Sequence, residues 1–239
     1  MASPSDRPPI PSSSGKASDV VFLLDVDNTL VDNDRVAEDL KRHLNDAFGR
    51  ERGDRYWQIY EQLRGELGYA DYLGALQRYR VENLTDPRML AMSLYLTDYP
   101  FANRLYPQSL DVIERLQGWG RVVILTDGDV VFQPRKIYRA GLWEAVAGHV
   151  LLYIHKEEML DDVVAHYPAE HYVMVDDKLR ILTAMKKIWD TRLTTVFVRQ
   201  GHYATDPKTV SSYPPADVTI ERIGELLDRE PSQLLGGAG

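Results

Sequence analysis

The chain has 239 residues, 44% hydrophobic and 27% charged, with a formal net charge of −8 and no cysteine. That is enough for one large domain, or one domain with a smaller insert, around a sizeable core. The acidic balance without a Lys/Arg block argues against a general nucleic-acid or anionic-membrane surface, and the missing cysteines exclude disulfides, thiolate catalysis and Cys-ligated zinc.

The opening M-A-S-P-S-D-R-P-P-I-P-S-S-S-G lacks the apolar run of a secretory signal and reads as a disordered tail over 1–18. Apolar runs elsewhere are too short to span a membrane, and a cytoplasmic protein is expected. Next comes V-V-F-L-L-D-V-D-N-T-L. The β-branched and large apolar run Val20–Leu24 predicts a strand buried on both faces, as in the middle of a parallel sheet. It ends in Asp25 and Asp27. Two acids one residue apart at the end of a core strand repel each other unless a cation or a shared proton intervenes. The bland alternative is an Asx-rich turn, since Asn28, Asp32, Asn33 and Asp34 all favour turns.

Helical spacing follows through Val36, Leu40 and Leu44, then Trp57, Tyr60, Leu63 and Leu67, then Tyr72, Leu73, Leu76 and Tyr79. Asp86-Pro87 predicts a further helix start. No strand is expected between Asp34 and Ala102, so 33–103 reads as an all-helical insert. Ser109 is expected to cap a helix that Gly118 and Gly120 end. From Arg121 onward strands and helices alternate. Strands are predicted at Arg121–Gly128, His149–Ile154, His171–Val175, Thr194–Val198 and, as a short edge, Val218–Ile220. Between them lie helices through Ile137 (stopped by Gly141), from Glu157, and through Leu182. A final helix is expected through Ile223 and Leu227, before a flexible end over 232–239. The alternation implies βαβ units and a parallel sheet with helices on both faces. The expected layout is a core of 19–32 plus 104–231 around the helical insert 33–103.

In such sheets ligands bind beyond the carboxyl ends of the strands. The residues there are Asp25 and Asp27, Thr126, Lys156, and Asp176-Asp177. Hard carboxylate oxygens suit Mg²⁺. A carboxylate is a competent nucleophile toward phosphorus, and a lysine and a cation would offset its repulsion from a phosphate. The amides of Val26, Asp127 and Gly128 are candidate donors to phosphate oxygens.

Four motifs in order, D-V-D-N-T (Asp25–Thr29), I-L-T-D-G (Ile124–Gly128), the lysine of Y-I-H-K-E-E (Lys156) and V-M-V-D-D-K (Val173–Lys178), resemble those of the haloacid dehalogenase-like (HAD) hydrolases. The resemblance spans roughly Val20 to Leu227. It implies a Rossmann-like core with Asp25 as nucleophile, Asp27 as general acid/base, and Thr126 and Lys156 on the phosphate. It also implies Mg²⁺ held by Asp25, the carbonyl of Asp27 and Asp176, and a C1-type cap made by the insert. Dehalogenases and phosphonate-cleaving members of the family lack an acid at the position of Asp27, so the resemblance implies a phosphatase of a small phosphorylated metabolite. A phosphomutase of the β-phosphoglucomutase type and a non-catalytic binding protein are the alternatives. Two departures stand out: the fourth motif is of the D-D form, which leaves Asp177 as the second acid, and Asp127 stands where the family often has Asn.

Several residues have bland readings. Lys156 alone could be a surface ion-pair lysine. Asp129 is expected to cap the next helix. Asp177 is read as a possible metal ligand, as a partner of Lys156 or as a cap. Lys178 and Arg180 are expected on a solvated helix face, and His155 in a turn. Trp57, Tyr60, Tyr69, Tyr72 and Tyr79 are expected to pack, while Arg55, Arg64 and Arg78 could reach an anionic substrate. The run Gly68–Gly74 is a candidate loop over the site, with hinges near Val31–Asn33 and Asn103–Tyr106. No sequence feature specifies an oligomeric state.

Overall fold

The structure, a computed structural model, describes residues 18–235. The expected tail therefore lies outside the described residues except Ser18, which opens the first strand. Of the expected flexible end, 236–239 lie outside, and 232–234 belong to a short helix.

Strands β1 (Ser18–Leu24), β2 (Arg121–Asp127), β3 (Val150–Tyr153), β4 (Ala169–Asp176), β5 (Leu193–Val198) and β6 (Val218–Ile220) form one six-stranded sheet in the order β3-β2-β1-β4-β5-β6. Every pairing is parallel. The sheet is buried on both faces, as the unbroken apolar run of β1 requires. Phe22 and Leu24 join one core cluster and Val21 and Leu23 the other, following the two-residue period of a strand. β1 lies at the centre, where the strand order reverses, and the crevice outside the carboxyl ends is deepest there.

Between β1 and β2 run helices α1 (Asn33–Phe48), α2 (Arg50–Leu67), α3 (Tyr72–Glu82) and α4 (Arg88–Asp98), with no strand. Their apolar stripes meet in the same cluster that covers one sheet face, so the insert and the core share a hydrophobic interior. Its two connections to the core pair with each other. Val31 bridges Leu105 antiparallel, Asp32 N–H donates to Arg104 O at 2.7 Å, and Tyr106 N–H donates to Leu30 O at 2.9 Å.

After β2 come α5's successors in the core: α5 itself (Ser109–Gln117) precedes β2, then α6 (Phe132–Arg139), α7 (Leu142–Ala145), α8 (Leu160–His166), α9 (Leu179–Trp189), α10 (Gly201–Thr205), α11 (Pro207–Ser211) and α12 (Pro231–Leu234). Four local expectations are corrected. Ser109 does not cap α5; it is buried, and its hydroxyl donates to Leu30 O at 3.0 Å, because the chain returning from the insert packs on the turn after β1. α4 starts at Arg88, with Asp86 accepting the Arg88 N–H at 3.1 Å. Lys156–Glu158 forms only a 3-10 turn before α8 begins at Leu160. The segment Ile223–Asp228 is likewise 3-10. α10 and α11 have no counterpart in the sequence reading.

Candidate active site

The charged and polar residues expected at the strand ends converge where β1, β2 and β4 end. The β1–β4 ladder runs one residue past the strand, with Asp25 N–H donating to Val175 O at 3.0 Å, which fixes the Asp25 backbone. Asp25, Asp176 and Lys156 are all buried. Lys156 Nζ lies 2.5 Å from Asp25 Oδ1, 2.7 Å from Asp176 Oδ2 and 3.2 Å from Leu125 O. The contact to Asp176 is an ion pair without hydrogen-bond alignment. Burial alone would lower the Lys156 pKa, but the Asp176, Asp25 and Asp127 carboxylates outweigh it and hold the ammonium well above its ordinary value. The surface reading of Lys156 is excluded by its burial.

Asp127 does not cap α6. Its Oδ1 accepts the backbone N–H of Lys156 at 2.8 Å, so it orients the turn that carries the lysine. Burial raises its pKa to about 6, against the opposing charge of Lys156. Asp129 does cap α6, accepting from Val131 N–H at 2.9 Å and Phe132 N–H at 2.7 Å. Thr126 is buried, and its Oγ1 accepts from Gln133 Nε2 at 3.0 Å. The Val26 N–H meets no acceptor among the described residues, whereas the Gly128 N–H is engaged by Tyr153 O at 3.0 Å, because the β2–β3 ladder also extends past its strand. Gly128 is thereby removed from the set of phosphate donors.

Asp177 neither hydrogen-bonds Lys156 nor caps a helix; of the readings made for it, only the second acid of a metal group agrees with its position. Asp176, not Asp177, takes the following turn, accepting Lys178 N–H at 2.8 Å. Asp177 is buried with both carboxylate oxygens unpartnered, and Asp25 Oδ2 is equally orphaned. Burial, with the like charges of Asp176 and Asp25, pushes Asp177 well above the carboxylate range. Asp176 is raised too, by burial and Asp25, against the pull of Lys156. Ligand oxygens of Asp25, Asp176 and Asp177 lie within 4.8 Å of one another. Buried carboxylate oxygens without hydrogen bonds are costly, and a hard oxygen-seeking dication is what such a donor set fits.

Asp27 stands apart from this cluster. Its side chain is 23% exposed, and its Oδ1 accepts from Lys136 Nζ at 2.6 Å. Lys136, on α6, was not singled out in the sequence. Neither was Gln133, nor Tyr203 on α10.

Above the site is a chamber of about 900 Å³ lined by both the core and the insert. Asp27, Gln133, Lys136 and Lys178 line it from the core. Of the expected packing aromatics, Trp57, Tyr60, Tyr69 and Tyr72 form its insert wall, while Tyr79 lies elsewhere in the core. They also pack on one another: Tyr60 stacks on Tyr72 at 4.8 Å, and Tyr72 meets Phe132 of α6 at 5.0 Å. Of the three arginines considered, Arg64 reaches the chamber; Arg55 and Arg78 pair outside it with Glu82 and Glu66. Lys178 is not solvated as expected. It is half-buried with Nζ 5.4 Å from the centre of the Tyr203 ring, and burial notwithstanding, Asp177, Asp25 and Asp176 hold its pKa above the ordinary value. Arg180 also lines the chamber and pairs with Glu157. The loop from Gly68 closes onto the core: Gly68 has φ +81°, and a Cβ there would sit 3.0 Å from the His155 ring. His155 thus packs beneath the insert as well as occupying a turn.

This arrangement has known counterparts. A family model described as haloacid dehalogenase-like hydrolase matches residues 20–188. The crystal structure of a protein from Burkholderia xenovorans LB400, provisionally assigned as a haloacid dehalogenase-like hydrolase, is 65% identical, with 89% of this chain and 99% of that chain covered and a TM-score of 0.84. The chain belongs to the haloacid dehalogenase-like hydrolases. More distant structures share the fold. The provisionally assigned HAD-hydrolase YfnB from Bacillus subtilis, bound to magnesium, is 18% identical over 90% of this chain and 98% of its own, with a TM-score of 0.57. A protein of Thermotoga maritima, provisionally assigned as β-phosphoglucomutase, is 14% identical over 87% and 96%, with a TM-score of 0.54. A search of curated proteins returned no match. No helix among the described residues is long and apolar enough to cross a membrane.

Proposed function

We propose that this hydrolase is a Mg²⁺-dependent phosphatase of a small phosphorylated metabolite, working through a phosphoaspartate at Asp25. The observation that carries the reading is a second carboxylate, Asp27, lining the chamber two residues after the buried Asp25–Lys156 pair. Displacing a halide from carbon needs no proton donor on the leaving group, whereas cleaving a phosphate ester leaves an alkoxide that does. Asp27 is the group available for that proton.

Asp25 Oδ1 is held by Lys156, which leaves Oδ2 as the unpartnered oxygen to attack phosphorus. The P–O bond to the alcohol breaks as the Asp25–phosphorus bond forms, and Asp27, which must enter this step in its protonated form, delivers that proton to the departing oxygen. Asp27 then takes a proton from water, which attacks phosphorus and releases Asp25 and inorganic phosphate. Thr126 Oγ, fixed by Gln133, and the free Val26 N–H offer hydrogen bonds to the phosphoryl oxygens, and Lys156 opposes their charge. Asp25, Asp176, Asp177 and the carbonyl of Asp27 are the groups to hold Mg²⁺, which when bound supplies charge neutralisation for the phosphoryl group. The helical insert acts as a cap whose aromatic wall selects the alcohol portion.

The test is phosphate release from a panel of phosphate esters by the wild type and Asp25→Asn, with Mg²⁺ and with excess EDTA. The expected result is metal-dependent release that disappears in the variant while its circular dichroism is unchanged. Full activity in Asp25→Asn, or release indifferent to EDTA, would overturn the reading.

A further inference from the structure

Lys136 is among the most deeply buried cations of the molecule, with 1% of its side chain exposed. Burying an ammonium is expensive unless its protons are all directed at acceptors. Two of the three are accounted for by Asp27 Oδ1 at 2.6 Å and Asn33 Oδ1 at 2.9 Å, and the Phe132 ring lies 5.5 Å away. No other group among the described residues hydrogen-bonds the Asp27 carboxylate. The three partners come from three places. Asp27 belongs to the turn after β1, Lys136 to α6 of the core, and Asn33 opens α1, the first residue of the insert. Asn33 is itself anchored, its N–H donating to Asn28 Oδ1 at 3.0 Å, and Asn28 also accepts from Asp34 N–H at 3.1 Å.

Stability alone gives no reason for this lysine. Its neighbours Phe132 and Ile137 on α6, and Ala140 just after it, are buried and apolar, the buried Gln133 being turned to Thr126, and an apolar residue at such a site usually serves packing as well as an ion pair does. What the ion pair adds is direction. It holds one oxygen of a carboxylate that has no other hydrogen bond among the described residues, and it ties that orientation to the first residue of the insert.

We propose that Lys136 is the positioning residue of Asp27, holding the acid/base carboxylate toward the leaving oxygen and, through Asn33, linking its orientation to the seating of the insert. The assignment rests on Asp27 serving as acid/base in phosphate-ester cleavage.

The experiment compares kcat/KM, which reports the step that expels the alcohol, for an alkyl ester (glycerol phosphate) and for p-nitrophenyl phosphate. The aryl leaving group departs with little need of a proton. In Lys136→Met the alkyl ester should lose roughly 100-fold and the aryl ester no more than about threefold, the span of a misplaced general acid. Asn33→Ala, which keeps the lysine, should show the same bias at roughly tenfold. In an Asp27→Asn background, Lys136→Met should add nothing on the alkyl ester, since the two act as one unit. Equal loss on both esters, or additive loss in the double variant, would make Lys136 a plain structural residue and overturn the proposal while leaving the phosphatase reading intact. A wild type inactive on both esters and on the wider panel would overturn the phosphatase reading, and this proposal with it.

Discussion

The core and the insert handle charge in opposite ways. At the ends of β1, β2 and β4 the charges are buried and crowded: Lys156 is 1% exposed between Asp25 and Asp176, and Asp177 beside them has no partner. On the insert several ion pairs lie in the open, although Asp39 and Asp86 are largely covered by their arginines. Arg55–Glu82 and Arg78–Glu66 leave 41% to 56% of each side chain exposed, while the interior is aromatic, with Tyr56, Tyr72 and Tyr79 buried. Buried charges gain or lose much when one partner is removed, whereas exposed pairs are screened and worth little. The difference separates the part of the molecule that is committed to a chemistry from the part that offers a shape.

The sharpest way to break this contrast is Lys156→Met. It leaves three carboxylates with ligand oxygens within 4.8 Å and no lysine among them. Turnover should fall by roughly 10³-fold, and in EDTA the fold should lose about 3–5 kcal/mol, as when one member of a buried ionic cluster is deleted. Mg²⁺ should restore more stability to the variant than it adds to the wild type, because the dication takes over the neutralisation. Urea unfolding with and without Mg²⁺ measures this. A variant as stable as the wild type in EDTA would show that the strand-end carboxylates do not need the lysine's charge to stay buried.

The same contrast decides what could be read from the sequence. Residues at strand ends are legible, because a parallel sheet converts an apolar run ending in a polar residue directly into a position in space. That rule places Asp25, Thr126, Lys156 and Asp176 together, and in the fold they are buried where the strands end. Gly128 lines the chamber as that rule places it, but its N–H is taken by Tyr153 O, because a ladder can run one residue beyond its apolar stretch. Helix-borne residues depend on which way a face turns. Lys136 sits in F-Q-P-R-K-I-Y-R between Arg135 and Arg139 and passes for a solvated lysine, although it shares the stripe of Phe132, Ile137 and Ala140. A lysine on an apolar stripe was the available signal. Tyr203 and Lys178 carried none, since their meeting depends on α10, which is too short to announce itself.

A probe of the insert should act on selection and spare the chemistry. Tyr69 is half-buried on the chamber wall. Tyr69→Ala should raise KM for the preferred ester by about threefold to tenfold with kcat within about twofold, and it should reorder the ester panel. A collapse of kcat with KM unchanged would place the loop in the chemistry and dissolve the division between the two regions.

Asp127 sharpens the comparison from the core side through pH. Its folded pKa, about 6, lies above the ordinary 3.8 because it is buried. The native state therefore binds the proton more tightly than the unfolded chain. The resulting stability is complete below about 3.8 and is lost as pH rises through about 6. Asp127→Asn removes the titration. Relative to the wild type it should gain on the order of 1 kcal/mol between pH 4 and pH 8, part of the shift being offset by solvent and by the Lys156 N–H. A stability difference flat across that range would contradict the burial of this carboxylate.

The smallest effect belongs to the insert's best-connected acid. Asp86 accepts from the Arg88 side chain at 2.6 and 2.7 Å, from the Arg88 N–H at 3.1 Å and from Arg52 at 2.9 Å. The Arg88 hydrogen bonds, aided by the charges of Arg88 and Arg52, lower its pKa to about 2. Here the sign is reversed: the contribution is present above 3.8 and is lost as pH falls through about 2. The Asp86 side chain is only 6% exposed, but both arginines are 41% to 48% exposed and water screens the pairs from their side, so Asp86→Asn should cost on the order of 1 kcal/mol at neutral pH. Molar salt should shrink that cost, since exposed pairs are screened, whereas the Lys156→Met loss should persist. Equal salt sensitivity of the two variants would mean that water reaches the strand-end cluster as freely as it reaches the insert's surface, and the contrast between the regions would then be one of residue type alone.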